Sequence, residues 1–491
     1  MELMQTEYDR YIRFSHAELT REESAEMIVP DSQPDLYGVL MTFAVCQIKQ
    51  RAVRENTLML EGVIETESIC LAEDETRQTV RGSIPFSREY PLEGCREDTI
   101  AETQLSVVRA ETQLKNPRKL AVNVQLSLRA QLYGKAPLTV SEGVRGEEDE
   151  GLESLNRPVE LELLCGVAEK KLSASDEVRI NTAGKLLRYE VEWKQEELRV
   201  LSGKLMVRGS ACVHAILLRE EETCTAEAEI PFSQVLECEG CQPGDRAELT
   251  YQTMQSQITM PEETLLSCNL TGTVWAKVSH KKTFSVLQDA YSLHYETECE
   301  KQPLHCPCCR EWQQTTEICE SFQPEDPPER VLDARWQARC GAEDGRMWAV
   351  YTFRVLFRTQ TGKLRCGDVT VKAAPEEAVA GKELCVRAGV RDCRMTVEDD
   401  GRITLRFVAI LTGQGLEQQP CSQMSACRLL REKPRQRPVP GTLVLRKAEE
   451  QETVWSVAAH YGTRAGEIRS ANHLEEEALQ PGQLIMIPFS R

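Results

Sequence analysis

Apolar and polar positions alternate along most of this chain. Leu120, Val122, Val124, Leu126 and Leu128 are separated by Ala, Asn, Gln and Ser. A period of two puts these five side chains on one face of a half-buried strand. Val108 to Leu114 follows the same rule. The intervening Lys115-Asn116-Pro117-Arg118-Lys119 predicts a hairpin.

The pattern recurs further along. Ile84-Pro85-Phe86-Ser87 returns as Ile230-Pro231-Phe232-Ser233, and Glu93-Gly94-Cys95 as Glu239-Gly240-Cys241, both at an offset of 146. Leu58-Met59-Leu60-Glu61-Gly62 corresponds to Leu205-Met206-Val207-Arg208-Gly209 at an offset of 147. The hairpin around Thr259 to Leu265 matches the one around Leu114 to Leu120. Four correspondences in register indicate a duplicated β-rich domain. A third, degenerate copy is expected from Val331 to Gln414. It contains the strand-like runs Val350 to Phe357 and Ile403 to Ile410, the second after the turn Glu398-Asp399-Asp400-Gly401.

The expected organisation is an N-terminal segment with the first β-rich repeat (1–141), a second repeat (154–296) and a Cys- and Pro-rich linker (297–330). A third repeat (331–427), a basic Pro-rich linker (428–440) and a terminal module (441–491) follow. An acidic stretch from Glu142 to Glu153 is expected to link the first two repeats. The fold class is mainly β: tandem sandwich or barrel-like repeats plus a small α+β module. A length of 491 residues suits several domains.

The terminal module follows different rules. Thr442 to Arg446 is a short strand. Thr453 is a candidate N-cap for the amphipathic run Val454 to Tyr461, which Gly462 ends. A second helix is expected from Arg464 to Ala471, then a turn at Gln480-Pro481-Gly482-Gln483 and a closing strand from Leu484 to Pro488. Trp455, Val457 and Ile468 are expected to be plain core.

Composition narrows the function. With 78 acidic against 59 basic side chains the net charge is −19. Such a surface repels phosphate backbones, so neither nucleic acid nor anionic lipid is an expected partner. No basic segment followed by an apolar core opens the chain, and no run reaches the ~20 apolar residues of a membrane helix. A soluble protein that stays in the cytoplasm is expected, with its 20 cysteines as thiols by default.

Catalytic motifs are absent: there is no phosphate-binding loop of the Gly-x-x-x-x-Gly-Lys type, no Gly-x-Ser-x-Gly and no His-Glu-x-x-His. No enzyme and no cofactor are expected. His305-Cys306-Pro307-Cys308-Cys309, with Cys299 and Cys319 nearby, has the chemistry of a zinc site but not the spacing of standard Cys-x₂₋₄-Cys arms, so no metal is assigned. Cys238-Glu239-Gly240-Cys241 has redox spacing, but it opens a loop rather than a helix.

The module resembles the LysM domain. Glu452-Thr453-Val454-Trp455-Ser456-Val457-Ala458, Tyr461-Gly462-Thr463, Glu467-Ile468, Ala471-Asn472, Leu479-Gln480-Pro481-Gly482-Gln483 and Ile487-Pro488 carry the likeness. The resemblance implies a βααβ fold. It also implies a shallow groove for glycans containing N-acetylglucosamine, lined here by Gln451, Glu452, Thr453, Asn472, Leu479 and Gln480. Two positions depart from the family: Gln451, where Gly is usual, and Arg446, near which an aromatic or small polar residue is usual.

The whole arrangement resembles the SipL-like proteins of spore-forming Firmicutes. Its markers are Glu26-Met27-Ile28-Val29-Pro30-Asp31-Ser32-Gln33-Pro34-Asp35-Leu36, the Ile-Pro-Phe repeats and the terminal LysM-like module. This implies a mother-cell scaffold at the forespore surface or spore coat. Its LysM domain would dock to the ATPase of the coat's basement layer or to another coat protein, and its repeats would mediate self- or partner association. Binding of peptidoglycan is the alternative.

Overall fold

Strands form where the alternation predicts them, and they run longer than expected. The computed structural model describes residues 2–73, 76–147, 150–219, 222–379, 382–436 and 442–489. In the first unit β1 (Glu2–Ile28), β2 (Leu36–Arg54), β3 (Thr57–Ala72), β4 (Arg77–Pro91), β5 (Ile100–Asn116) and β6 (Lys119–Arg145) make two antiparallel sheets, ordered β1-β6-β5 and β2-β3-β4. Leu120, Val122, Val124, Leu126 and Leu128 are all buried in this unit, as their spacing predicts.

The second unit repeats the plan. β7 (Leu152–Arg179), β8 (Lys185–Leu201), β9 (Lys204–Arg219), β10 (Glu222–Glu237), β11 (Arg246–Glu262) and β12 (Leu265–Ser292) pair as β7-β12-β11 and β8-β9-β10. In both units the two sheets enclose one apolar core of Leu, Val, Ile and Ala.

The Ile-Pro-Phe signature has a structural cause. Phe86 lies opposite Gly62 in the ladder, and Phe232 opposite Gly209. Each phenyl ring covers the backbone of its glycine. A Cβ on Gly62 would meet the Phe86 ring at 2.8 Å, and one on Gly209 the Phe232 ring at 3.0 Å.

The third copy begins earlier than expected. The segment read as a linker, 297–330, is mostly strand: β13 (Tyr295–Pro303) and β14 (Pro307–Phe322). With β15 (Pro328–Glu343), β16 (Arg346–Thr359), β17 (Leu364–Ala373), β18 (Lys382–Val397), β19 (Ile403–Gln418) and β20 (Ser422–Pro434) they give β14-β19-β18, β15-β16-β17 and a ribbon, β13-β20. This is the same plan with the long outer ribbon broken at 304–306 and 419–421. The alternation in Glu296-Thr297-Glu298-Cys299-Glu300 is real, but threonine and cysteine take the half-buried positions, so it lacks the aliphatic spacing that marks Leu120 to Leu128.

Two further linkers need correction. Only 146–151 separates β6 from β7, and Glu150 within it is buried. The basic stretch 428–440 continues β20 as far as Pro434, and 437–440 lies outside the described residues.

The three units meet around a buried polar hub. Glu102 on β5 pairs with Lys277 on β12 at 3.1 Å, and Arg387 on β18 faces it at 3.8 Å. Gln131 donates to Gln414 at 3.1 Å. Burial alone would push the Glu102 carboxyl up, but Lys277 and Arg387 outweigh it and hold the group below the ordinary carboxylate range. Ion pairs bridge the rims, with Arg51 to Glu169 at 2.6 Å between units one and two and Arg188 to Asp333 at 2.8 Å between units two and three. The repeats therefore form a three-leaved body.

Candidate functional site

The terminal module forms as its caps dictate: β21 (Leu443–Lys447), α1 (Val454–Tyr461), α2 (Ala465–Asn472) and β22 (Leu484–Pro488). The Ser456 N–H donates to Thr453 Oγ1 at 3.0 Å, and the Thr453 N–H donates to Ser456 Oγ at 2.9 Å. This reciprocal cap satisfies two otherwise unpaired donors. Gly462 takes φ 64° and stops α1. Val457 and Ile468 are fully buried core, as expected.

Five of the six predicted groove residues lie on two adjoining loops, 448–453 and 473–483, while Asn472 ends α2; each has a different task. Gln451 is exposed and sits at φ 64°, a left-handed conformation that explains why the family prefers glycine there. Glu452 is held by Arg446 at 2.8 Å and accepts the Glu449 N–H at 2.9 Å. The Leu479 N–H donates to the Glu452 carbonyl at 3.0 Å, joining the two walls, and the Leu479 side chain is buried. Asn472 is a clasp: its Oδ1 accepts the Met486 N–H at 2.7 Å and its Nδ2 donates to the Met486 carbonyl at 2.6 Å. Thr453 is the helix cap, and Gln480 is exposed at the turn. Gln451 and Gln480 thus carry the outward-facing side chains of the set.

The rim is strongly acidic. Glu449 and Glu450 on one loop, with Glu475 and Glu476 on the other, are exposed. Glu477, between the walls, accepts the Trp455 N–H at 2.8 Å and pairs with Arg469.

Sequence reasoning missed how the module is attached. Expected to hang on a basic linker, it is docked on the second unit. Trp455 is buried, yet it is not plain core. Its ring meets Tyr291 edge-on with centroids 4.8 Å apart, and its indole N–H donates to Asp289 at 3.0 Å. Tyr291 Oη donates to the Thr463 carbonyl at 2.7 Å, and burial, helped by Glu153, pushes its hydroxyl well up. Arg464 pairs with Glu153 at 3.1 Å. Arg435, within the basic stretch, donates to the Ala459 and His460 carbonyls at the C-terminal end of α1. These contacts involve α1 and the loop after it.

Among the described residues the cysteines do not gather into a metal-binding group. Cys299 faces Cys427, Cys306 and Cys308 are buried apart along the chain, and Cys319 is exposed. Among the described residues no group of three or more His, Cys, Asp or Glu is placed to hold one. The Cys309 side chain lies outside the described residues. Burial, with Cys241 and Cys165 nearby, pushes the Cys238 thiol up to about 12, which suits a packed thiol better than a redox thiolate. A cleft of about 650 Å³ between the units is lined by Phe43, Arg188 and Arg335, whose charges are already met by Asp333 and Glu190.

Comparison with known families agrees with this architecture. Residues 182–260, spanning β8 to β11, match the SipL, SPOCS domain, and residues 449–488 match the LysM domain. No curated protein and no solved structure matches the chain. No described helix is long and apolar enough to cross a membrane.

Proposed function

We propose that this SipL-like chain with a C-terminal LysM domain is a non-enzymatic scaffold of spore coat assembly. The three-leaved body holds the LysM domain in place, and the LysM groove docks a basic surface of a basement-layer coat protein, the coat ATPase first among candidates. It acts at the forespore surface, and the body supplies a second surface for self- or partner association. SPOCS and LysM domains are binding rather than catalytic domains, consistent with a sporulation-related role.

The acidic rim carries the reading. Four exposed carboxylates, Glu449, Glu450, Glu475 and Glu476, stand on the two loops that also carry the exposed amides Gln451 and Gln480. Complementary charge steers a protein partner and selects against like-charged surfaces. The test is capture of the purified ATPase by the full chain. Replacing Glu450, Glu475 and Glu476 by lysine is expected to cut capture at least tenfold. Undiminished capture removes the docking model.

Glycan binding is the second reading, favoured by the retained βααβ frame and by the left-handed Gln451 backbone, which preserves the shape of the loop. It predicts that the full chain pellets with purified peptidoglycan.

A further inference from the structure

The outer ribbon of the third unit contains a matched pair of sulfurs. β13 and β20 are antiparallel, and their register sets Cys299 directly opposite Cys427. Opposed residues in such a ladder have Cα atoms about 4.5–5.5 Å apart, within the span a disulfide accepts. The two sulfur atoms lie 2.8 Å apart. Leu287, Ala290 and Met424 back the pair, with Leu3 and Val144 beside it, so the strands are packed in this register. Both cysteines are half-buried, within reach of a small oxidant.

The other thiols differ. Cys238 and Cys241 are sealed in the core of the second unit, and Cys241 donates to the Leu201 carbonyl at 3.3 Å. Cys319 is exposed but stands opposite Arg406.

We propose that Cys299 and Cys427 form a reversible cross-strand disulfide that fastens the first strand of the third unit to its last. With a peroxide as oxidant, the Cys299 thiolate attacks one peroxide oxygen. The O–O bond breaks, leaving a sulfenic acid and, after protonation, water. Cys427 sulfur then attacks the Cys299 sulfur, the S–S bond forms, and the S–O bond breaks to release a second water. Two thiols are oxidised by two electrons and one peroxide is reduced to two waters. Either sulfur can begin the sequence, because the 2.8 Å separation places each to resolve a sulfenic acid formed on the other.

The clasp lies beside the LysM docking point. Cys299 Sγ donates to the Ala290 carbonyl at 3.2 Å, and the neighbouring Asp289 accepts the Trp455 indole. Oxidation removes the proton of that thiol bond and closes the long loop between the two cysteines, which restricts the unfolded chain.

The experiment uses the full-length protein treated with hydrogen peroxide, then alkylated, digested and analysed by mass spectrometry. A peptide pair linked through Cys299 and Cys427 is expected, lost on reduction with dithiothreitol and accompanied by a rise of several degrees in the thermal midpoint. Cys299→Ser and Cys427→Ser, checked for parent-like circular dichroism, should each abolish both effects. Alkylation of both cysteines after oxidation overturns the proposal. So does a midpoint rise that survives in Cys299→Ser.

Discussion

The indole N–H of Trp455 in the LysM domain donates to the carboxylate of Asp289 in the second unit at 3.0 Å. A residue that sequence assigns to the module's own core is therefore also its attachment point. Hydrogen bonds to a charged acceptor contribute about 1.5–3 kcal/mol when well shielded, and partial exposure puts this one toward the lower end.

Trp455→Phe keeps the ring against Tyr291 and loses the bond. The LysM fold is expected to persist through Val457 and Ile468, while docking loosens. Amide hydrogen exchange should quicken at Thr463 and Arg435, whose N–H groups bond to Ala458 and His294. Unchanged rates at both amides rule out this bond as the anchor.

Lys277→Met removes the principal partner of buried Glu102, and an uncompensated buried charge costs about 3–5 kcal/mol. A matching drop in the urea midpoint is expected, and Glu102→Gln in the same chain should recover part of it. The same site predicts a pH dependence. Because the folded Glu102 carboxyl is held below its ordinary value of 4.5, its stabilisation is present above that pH and is lost as the pH falls toward the folded value. The stability difference between the parent and Glu102→Gln should shrink on acidification through that window.

Gly62→Ala and Gly209→Ala place a methyl group against the covering phenylalanine ring and a backbone carbonyl, of Gln47 in one case and Lys194 in the other. Overpacking of this kind costs about 1–3 kcal/mol. Both variants should unfold earlier, and by similar amounts, because the environments are equivalent. Pairing each with a smaller residue at Phe86 or Phe232 relieves the ring contact but not the carbonyl contact, so only partial rescue is expected.

Thr453→Ala deletes the N-cap of α1, a loss of about 1 kcal/mol. The effect should be local, seen as faster exchange at the Ser456 amide without change at the Glu102 hub. Equal loosening at both sites would mean that the module and body unfold as one.

The elements that were legible in the sequence share a local cause. Thr453 and Gly462 bound α1 through contacts within a turn, and the Ile-Pro-Phe repeats could be aligned because ring and glycine face each other in a fixed register. The third copy's first strand was read as a linker because Thr297 and Cys299 hold its inward positions and prolines lie close by in sequence. Glu102 could not be singled out among 78 acidic side chains, since Lys277 and Arg387 come from the other two units. Asp289 and Tyr291 gave no signal either. They end a long strand, and only the folded body brings them to Trp455.

The pairing of each unit's first strand with its last has a mechanical consequence. Glu2 lies opposite Arg145, and Leu152 opposite Ser292, so the chain enters and leaves a leaf at the same end of one antiparallel ladder. Tension on those two ends falls on one terminal hydrogen bond at a time and opens the ladder like a zip, instead of shearing all its bonds together. Under load carried along the chain, the body behaves as a series of compliant links that lengthen before they break.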